Sequence, residues 1–171
     1  MIRVFAYFLL FISLSIGSIK SACSQTTNLE TQLKTVYLFH FAELAEWPNP
    51  SQSITICLRG DSAIRLSLPS LEGKMIHGNP VKVLLDDQVP IADCRIVFLS
   101  DKSQLNNDIL EQARLGHVLL VSDSEDFAKQ GGMVQFTLRE QKLKLVINLG
   151  AVRTAGLHLS SKLLRMAEVL E

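Results

Sequence analysis

The chain has 171 residues, 17 Lys and Arg against 17 Asp and Glu, and a formal net charge of zero. That length suits one domain with a proper core. A neutral chain without a basic cluster argues against nucleic acid, which needs a concentrated positive face.

Met1-Ile2-Arg3 is a short positive start, Val4 to Ile16 is almost wholly apolar, and Ser18 to Ser24 is rich in small residues. That order predicts a secretory signal peptide over residues 1–24, followed by one domain over 28–171. The alternative is a retained anchor, although a spanning helix needs about 20 apolar residues and Lys20 interrupts this run first. Ala22 and Ser24 fit cleavage after Ser24; lipidation at Cys23 is the alternative to ordinary cleavage. Either route places the protein in the periplasm. Export makes Cys57 and Cys94, the two cysteines certain to remain, a candidate disulfide. Two buried free thiols in strands are the other reading.

Asn28 to Trp47 reads as a helix, with Leu29, Leu33, Val36, His40 and Leu44 at the spacing of one face and Phe41, Ala42 and Ala45 widening it. Asn28 is the expected cap, and Pro48 and Pro50 the expected stop. The aromatic residues Tyr37, Phe39, Phe41 and Trp47 are read as core or half-core, with a partner-binding stripe as the alternative. Short apolar segments then alternate with helical ones. Strands are predicted at Ser53 to Leu58, Pro80 to Leu85, Cys94 to Leu99, His117 to Val121, Met133 to Leu138 and Leu143 to Ile147. Helices are predicted at Ser62 to Leu71, Gln104 to Leu115 (stopped by Gly116), Glu125 to Lys129 and Leu159 to Leu170. Arg139 to Lys142 reads as a hairpin turn, and Gly131-Gly132 as a sharp turn. The alternation predicts a three-layer α/β domain whose mixed, mostly parallel sheet has about six strands and ends in an antiparallel hairpin.

Several blocks in this order resemble the YfiR family: Tyr37-Leu-Phe-His-Phe41 with Glu46-Trp47-Pro48, Lys74 to Val83, Ala92-Asp-Cys-Arg-Ile-Val-Phe-Leu-Ser100, Val118 to Phe136, and Leu143 to Ala167. The resemblance runs from Thr35 to Leu170. It implies a Rossmann-like sheet, a periplasmic location and a regulatory role without enzymatic activity or cofactor. The family's best known member represses a membrane-bound diguanylate cyclase by engaging its periplasmic part, and loss of repression raises cyclic di-GMP and promotes biofilm. The implied partner is therefore the periplasmic domain of a membrane-bound diguanylate cyclase or sensor kinase. A homodimer is a further expectation, because such membrane enzymes usually act as dimers. The Cys57 and Cys94 pair resembles a family disulfide, while a second bridge found in some members has no counterpart here.

The sequence carries no nucleophile elbow, zinc helix or phosphate loop. His40, Glu43 and Glu46 are read as a histidine beside solvated glutamates rather than a metal site. Three strand ends lead into polar turns, Gly60-Asp61-Ser62, Ser100-Asp101-Lys102-Ser103 and Ser122-Asp123-Ser124. At the carboxyl edge of an α/β sheet these form a candidate small-ligand, nucleotide-like site; plain helix capping is the competing reading. The basic residues Arg153, Lys162 and Arg165 are solvated or part of an interface.

Overall fold

The structure is a computed structural model that describes residues 21–49 and 53–171. The expected leader and the anchor alternative lie outside the described residues up to residue 20, as does Pro50. Thr31–Glu171 is one compact unit, and residues up to Glu30 belong to another.

Helix α1 covers Ser21–Leu44. Asn28 therefore sits inside the helix rather than capping it. The helix stops at Leu44, before Pro48, because the next two residues are taken by a strand. That strand, β1 (Ala45–Glu46), pairs antiparallel with β9 (His158–Leu159) in a small separate sheet. Ser160 N donates to Leu44 O at 2.9 Å and fastens the end of the helix.

The main sheet has eight strands: β2 (Ile54–Arg59), β3 (Met75–Ile76), β4 (Asn79–Leu84), β5 (Ile96–Leu99), β6 (Leu119–Ser122), β7 (Val134–Arg139), β8 (Lys142–Asn148) and β10 (Ala167–Leu170). Their order is β10-β8-β7-β6-β5-β2-β4-β3. The five inner strands β7, β6, β5, β2 and β4 run parallel, and β8 and β3 oppose them at the two sides. The expected mixed, mostly parallel sheet and its antiparallel hairpin are thus present. Glu140 and Gln141 both take positive φ, 52° and 60°, which is how a two-residue loop matches the twist of β7 and β8.

Side-chain alternation along the strands sorts the two faces. Ile56, Leu58, Phe98, Val121, Val134, Phe136, Leu145 and Ile147 share one face, and all are buried. Helix α1 covers it: Phe41 and Tyr37 lie 5.7 and 5.9 Å from the Phe136 ring. Cys57 points to the opposite face and is bonded to Cys94, with Cα atoms 6.0 Å apart. Cys94 closes the short 3-10 turn Ile91–Asp93, and helix α2 (Asn107–Gly116) packs against that turn. These are the three layers.

Four predicted helices change. Ser62 to Leu71 is two 3-10 turns, Ala63–Leu66 and Leu68–Leu71, because Pro69 cannot donate within a continuous helix. Helix α2 starts at Asn107 because Asn106 Oδ1 accepts from Ile109 N at 2.9 Å, and it is His117, at φ 55°, that ends it. Glu125 to Lys129 is a turn, with Asp126 at φ 59°. Leu159 to Leu170 divides into β9, a single turn α4 (Ser161–Leu164) capped by Ser160, and strand β10. Helix propensity loses there because β8 would otherwise leave Leu145–Asn148 unpaired on its outer side. Helix α3 (Leu149–Thr154) follows β8 directly, and Asn148 Oδ1 caps it at Ala151 N.

Cys57→Ala with Cys94→Ala opens a covalent loop of sequence separation 37. We expect about 2–4 kcal/mol lower stability in urea titrations, from the greater freedom of the unfolded chain. Gly132→Ala gives a second check. A Cβ there strikes the buried Phe127 ring, so the melt should show a loss of about 1–3 kcal/mol.

Candidate functional site: an apolar groove beside helix α1

The helix presents two apolar stripes. Leu38, Phe41 and Ala42 point into the sheet and are buried, and Ala45, the first residue of β1, continues their line. At 3.6 residues per turn their mean direction lies roughly 140° around the axis from that of Leu33, Val36, His40 and Leu44. The second stripe is the one whose spacing stands out in the sequence, yet it faces outward. Leu33 is 39% exposed and Val36 47% exposed.

That outward stripe walls a groove of about 260 Å³. Leu33, Val36, Tyr37, His40 and Leu44 form one side, and Lys162 and Met166 form the other. Met166 is 47% exposed and directly precedes β10. The walls are apolar, and the polar rim consists of Lys162 and His40; His40 Nδ1 lies 3.1 Å from Glu43 Oε2.

Of the four aromatic candidates, Tyr37 lines this groove while also packing on Phe136. Phe41 is wholly buried, so a partner on the folded domain does not reach it; its angular position next to the sheet is the reason. Phe39 is half-buried under Lys74, whose Nζ lies 5.9 Å from the ring centre. Trp47 is half-buried, with the Arg95 guanidinium 5.9 Å from its ring and its indole N–H unpartnered among the described residues. Burial lowers the Arg95 pKa from its ordinary value.

The three polar turns do meet at the carboxyl edge. They follow the adjacent strands β2, β5 and β6, and a Cβ at Gly60 (φ +82°) would collide with Ser100 Oγ. Their polar atoms, however, largely serve one another and the backbone. Gly60 N donates to Asp87 Oδ1 at 2.7 Å, and Ser62 Oγ accepts from Ile64 N. Asp101 Oδ1 accepts from Ser103 N at 2.7 Å, and Gln104 closes the capping box. Ser122 is buried; its hydroxyl donates to Leu99 O at 2.7 Å and accepts from Ser124 N. Asp123 is held by Lys34 at 2.6 Å, a mostly buried pair that ties α1 to this edge. Asp61 is exposed. Capping accounts for the Ser62 hydroxyl and the Asp101 carboxylate, and the Ser122 hydroxyl is occupied by backbone groups of Leu99 and Ser124.

Among the described residues no group of three or more His, Cys, Asp or Glu side chains is placed to hold a metal ion. Sequence reasoning missed Met166 as a groove wall; Lys162, read as solvated or part of an interface, is the other residue on that side. The available signal was that α1 has more apolar positions than one buried face requires.

The fold is a mixed α/β domain with a disulfide behind its sheet and an apolar groove in front. The chain belongs to the YfiR/HmsC-like family, whose model matches residues 31–168. That family is periplasmic and regulatory. No curated protein matches the sequence. Among solved structures, a conserved domain protein from Vibrio cholerae O1 biovar El Tor is similar with TM-score 0.52 and 11% identity, over 80% of this chain and 60% of that one. An ABC domain in complex with L-Trp from Streptococcus pneumonia gives TM-score 0.47 and 11% identity, over 82% and 60%. The first likeness is one of fold alone. The chain spans about 60% of the length of each. No helix among the described residues is long and apolar enough to cross a membrane.

Asp101 offers a pH test of the capping account. Hydrogen bonds from the Ser103 backbone and side chain, aided by Lys102, hold its carboxyl below the ordinary value. A folded-state pKa lowered in this way adds stability above the unfolded value of about 3.9, and that stability disappears as pH falls through the folded value. Asp101→Asn should therefore flatten the acid limb of stability in denaturant titrations between about pH 5 and 2.

Proposed function

We propose that this chain is a periplasmic regulatory protein that binds and represses the periplasmic part of a membrane-bound diguanylate cyclase, so lowering cyclic di-GMP and biofilm formation. The family match over residues 31–168 carries this reading. The groove beside α1 supports it, because an exposed apolar surface rimmed by polar groups is what an interaction site offers. Repression needs only that the protein binds one state of the cyclase more tightly than the other. In this reading Tyr37 contributes its exposed edge, and Leu33 and Val36 supply most of the contact. The competing reading, a nucleotide-like ligand held by Gly60, Asp61, Ser62, Ser100, Ser103, Ser122 and Ser124, draws less support, since Gly60 N, the Ser62 hydroxyl, Ser103 N and the Ser122 hydroxyl are engaged in hydrogen bonds within the protein.

Leu33→Glu with Val36→Glu tests the contact surface. Both side chains are exposed, so folding stability should change by no more than about 0.5 kcal/mol per site. Binding to the solubilised cyclase should weaken by at least about tenfold, as loss of a central apolar contact does. In cells the variant should raise cyclic di-GMP toward the level of the gene deletion. Unchanged cyclic di-GMP on deleting the gene, with no cyclase or kinase co-purifying from membranes, would remove the regulator reading.

A further inference from the structure

We propose that the outer edge of β10 and the groove beside α1 form one continuous cleft, and that its occupant is an extended segment of a partner protein with alternating apolar residues and acidic flanks. This inference rests on the regulator reading and specifies the chemistry of the partner at that site.

Three observations lead to it. First, among the described residues β10 is the terminal strand of the sheet and pairs only with β8. Alternate residues of a parallel edge strand point their N–H and C=O groups away from the sheet, which is a template for one more strand. Such a template selects an extended backbone and rejects a helix. Second, the groove meets the chain directly before that edge, at Met166. Ala167 and Val169 pair with Leu145 and Ile147, so they lie on the face that α1 covers farther in. Val169 nevertheless stays 37% exposed, and Met166, one residue before the strand, is a groove wall. An added strand would lay every second side chain onto Val169, Met166 and the α1 wall. That is the division of labour in strand addition: backbone bonds hold the segment, and alternate side chains select it.

Third, the charge is one-sided. Glu168, the acid within β10, is already matched by Arg139 at 2.7 Å across β8. Lys162 and Arg165 are exposed and have no carboxylate partner among the described residues. His40, on the opposite wall, already faces Glu43 at 3.1 Å, so the unmatched charge is that of Lys162 and Arg165. Acidic flanks fit this rim and basic ones do not.

The test uses the exported, disulfide-intact protein as bait for a displayed library of random 12-residue peptides. The expected winners alternate apolar residues and carry Asp or Glu. Bound to the protein, the best of them should slow amide exchange across 167–170 by at least about tenfold, because edge N–H groups gain partners. Lys162→Glu with Arg165→Glu, both exposed, should keep the melting temperature and weaken that peptide by about tenfold at low salt, with the difference shrinking at high salt. Met166→Glu should weaken it at every salt concentration. The proposal is overturned by basic winners, by no winners, or by protection that falls away from β10 and α1. It is also overturned by concentration-dependent protection of β10 without peptide, which would put a second copy of the chain there. The regulator reading fails separately: peptides behave as expected, yet deleting the gene leaves cyclic di-GMP unchanged. If deletion raises cyclic di-GMP while the Lys162→Glu, Arg165→Glu variant represses as well as the native protein, the cleft alone is wrong.

Discussion

The rotation of helix α1 about its own axis is set by the aromatic cluster around Phe136, and the exposed groove is a consequence of that rotation. Phe136 lies at the centre of the covered face, 5.7 Å from Phe41, 5.9 Å from Tyr37 and 6.4 Å from Phe98. Each fully buried aromatic contributes roughly 1.5–3 kcal/mol by leaving water, and paired rings add about 0.5–1.5 kcal/mol more. Turning the helix to bury Leu33 and Val36 instead would withdraw Phe41 and Leu38 from the sheet. The polar seam opposes the same rotation, since Lys34 meets Asp123 and Thr35 meets Ser67 on the inner side. Two apolar stripes compete for one sheet, and the aromatic one is covered.

This competition explains what was legible in the sequence. The strands read cleanly because a parallel sheet covered on both faces needs near-continuous Val, Ile and Leu, as at Ile96–Leu99 and Leu119–Ser122. The hairpin was equally local and equally visible. The inward face of α1 was not, because periodicity reports that a stripe exists and cannot say which of two stripes meets the sheet. Strand β10 was hidden for a different reason. Ala167-Glu168-Val169-Leu170 suits a helix as well as a strand, and only the open side of β8, distant in sequence, decides between them. The groove joins these two places, so it was illegible for both reasons together. The candidate ligand turns were legible as a cluster, but the sequence did not show whether their hydroxyls were free or engaged, as Ser62 is with Ile64 N and Ser122 with Leu99 O.

The rear of the sheet is built differently. Cys57 and Cys94 join β2 to the turn beneath α2. The polar groups on that side are closed off one by one. Gln135 Oε1 accepts from Ala128 N, Asn148 Nδ2 donates to Ala128 O, and His117 Nδ1 meets Ala155 O at 2.8 Å. These bonds pin the loop after β6 and the start of α3 to the strands between them.

A layer fixed by a covalent bond and satisfied polar groups behind the sheet leaves the front free to carry an incomplete surface. Among the described residues the front has an apolar stripe without a cover and a strand without an outer neighbour, side by side. Either feature alone is ordinary: single exposed apolar residues are common, and every open sheet has edges. Their adjacency is different, because an unpaired strand beside an apolar trough recognises one shape, an extended chain, in both backbone and side chains. A regulator that captures and releases a partner gains from such a surface. Backbone pairing supplies affinity without demanding a deep pocket, and the trough and its basic rim decide which segment is held.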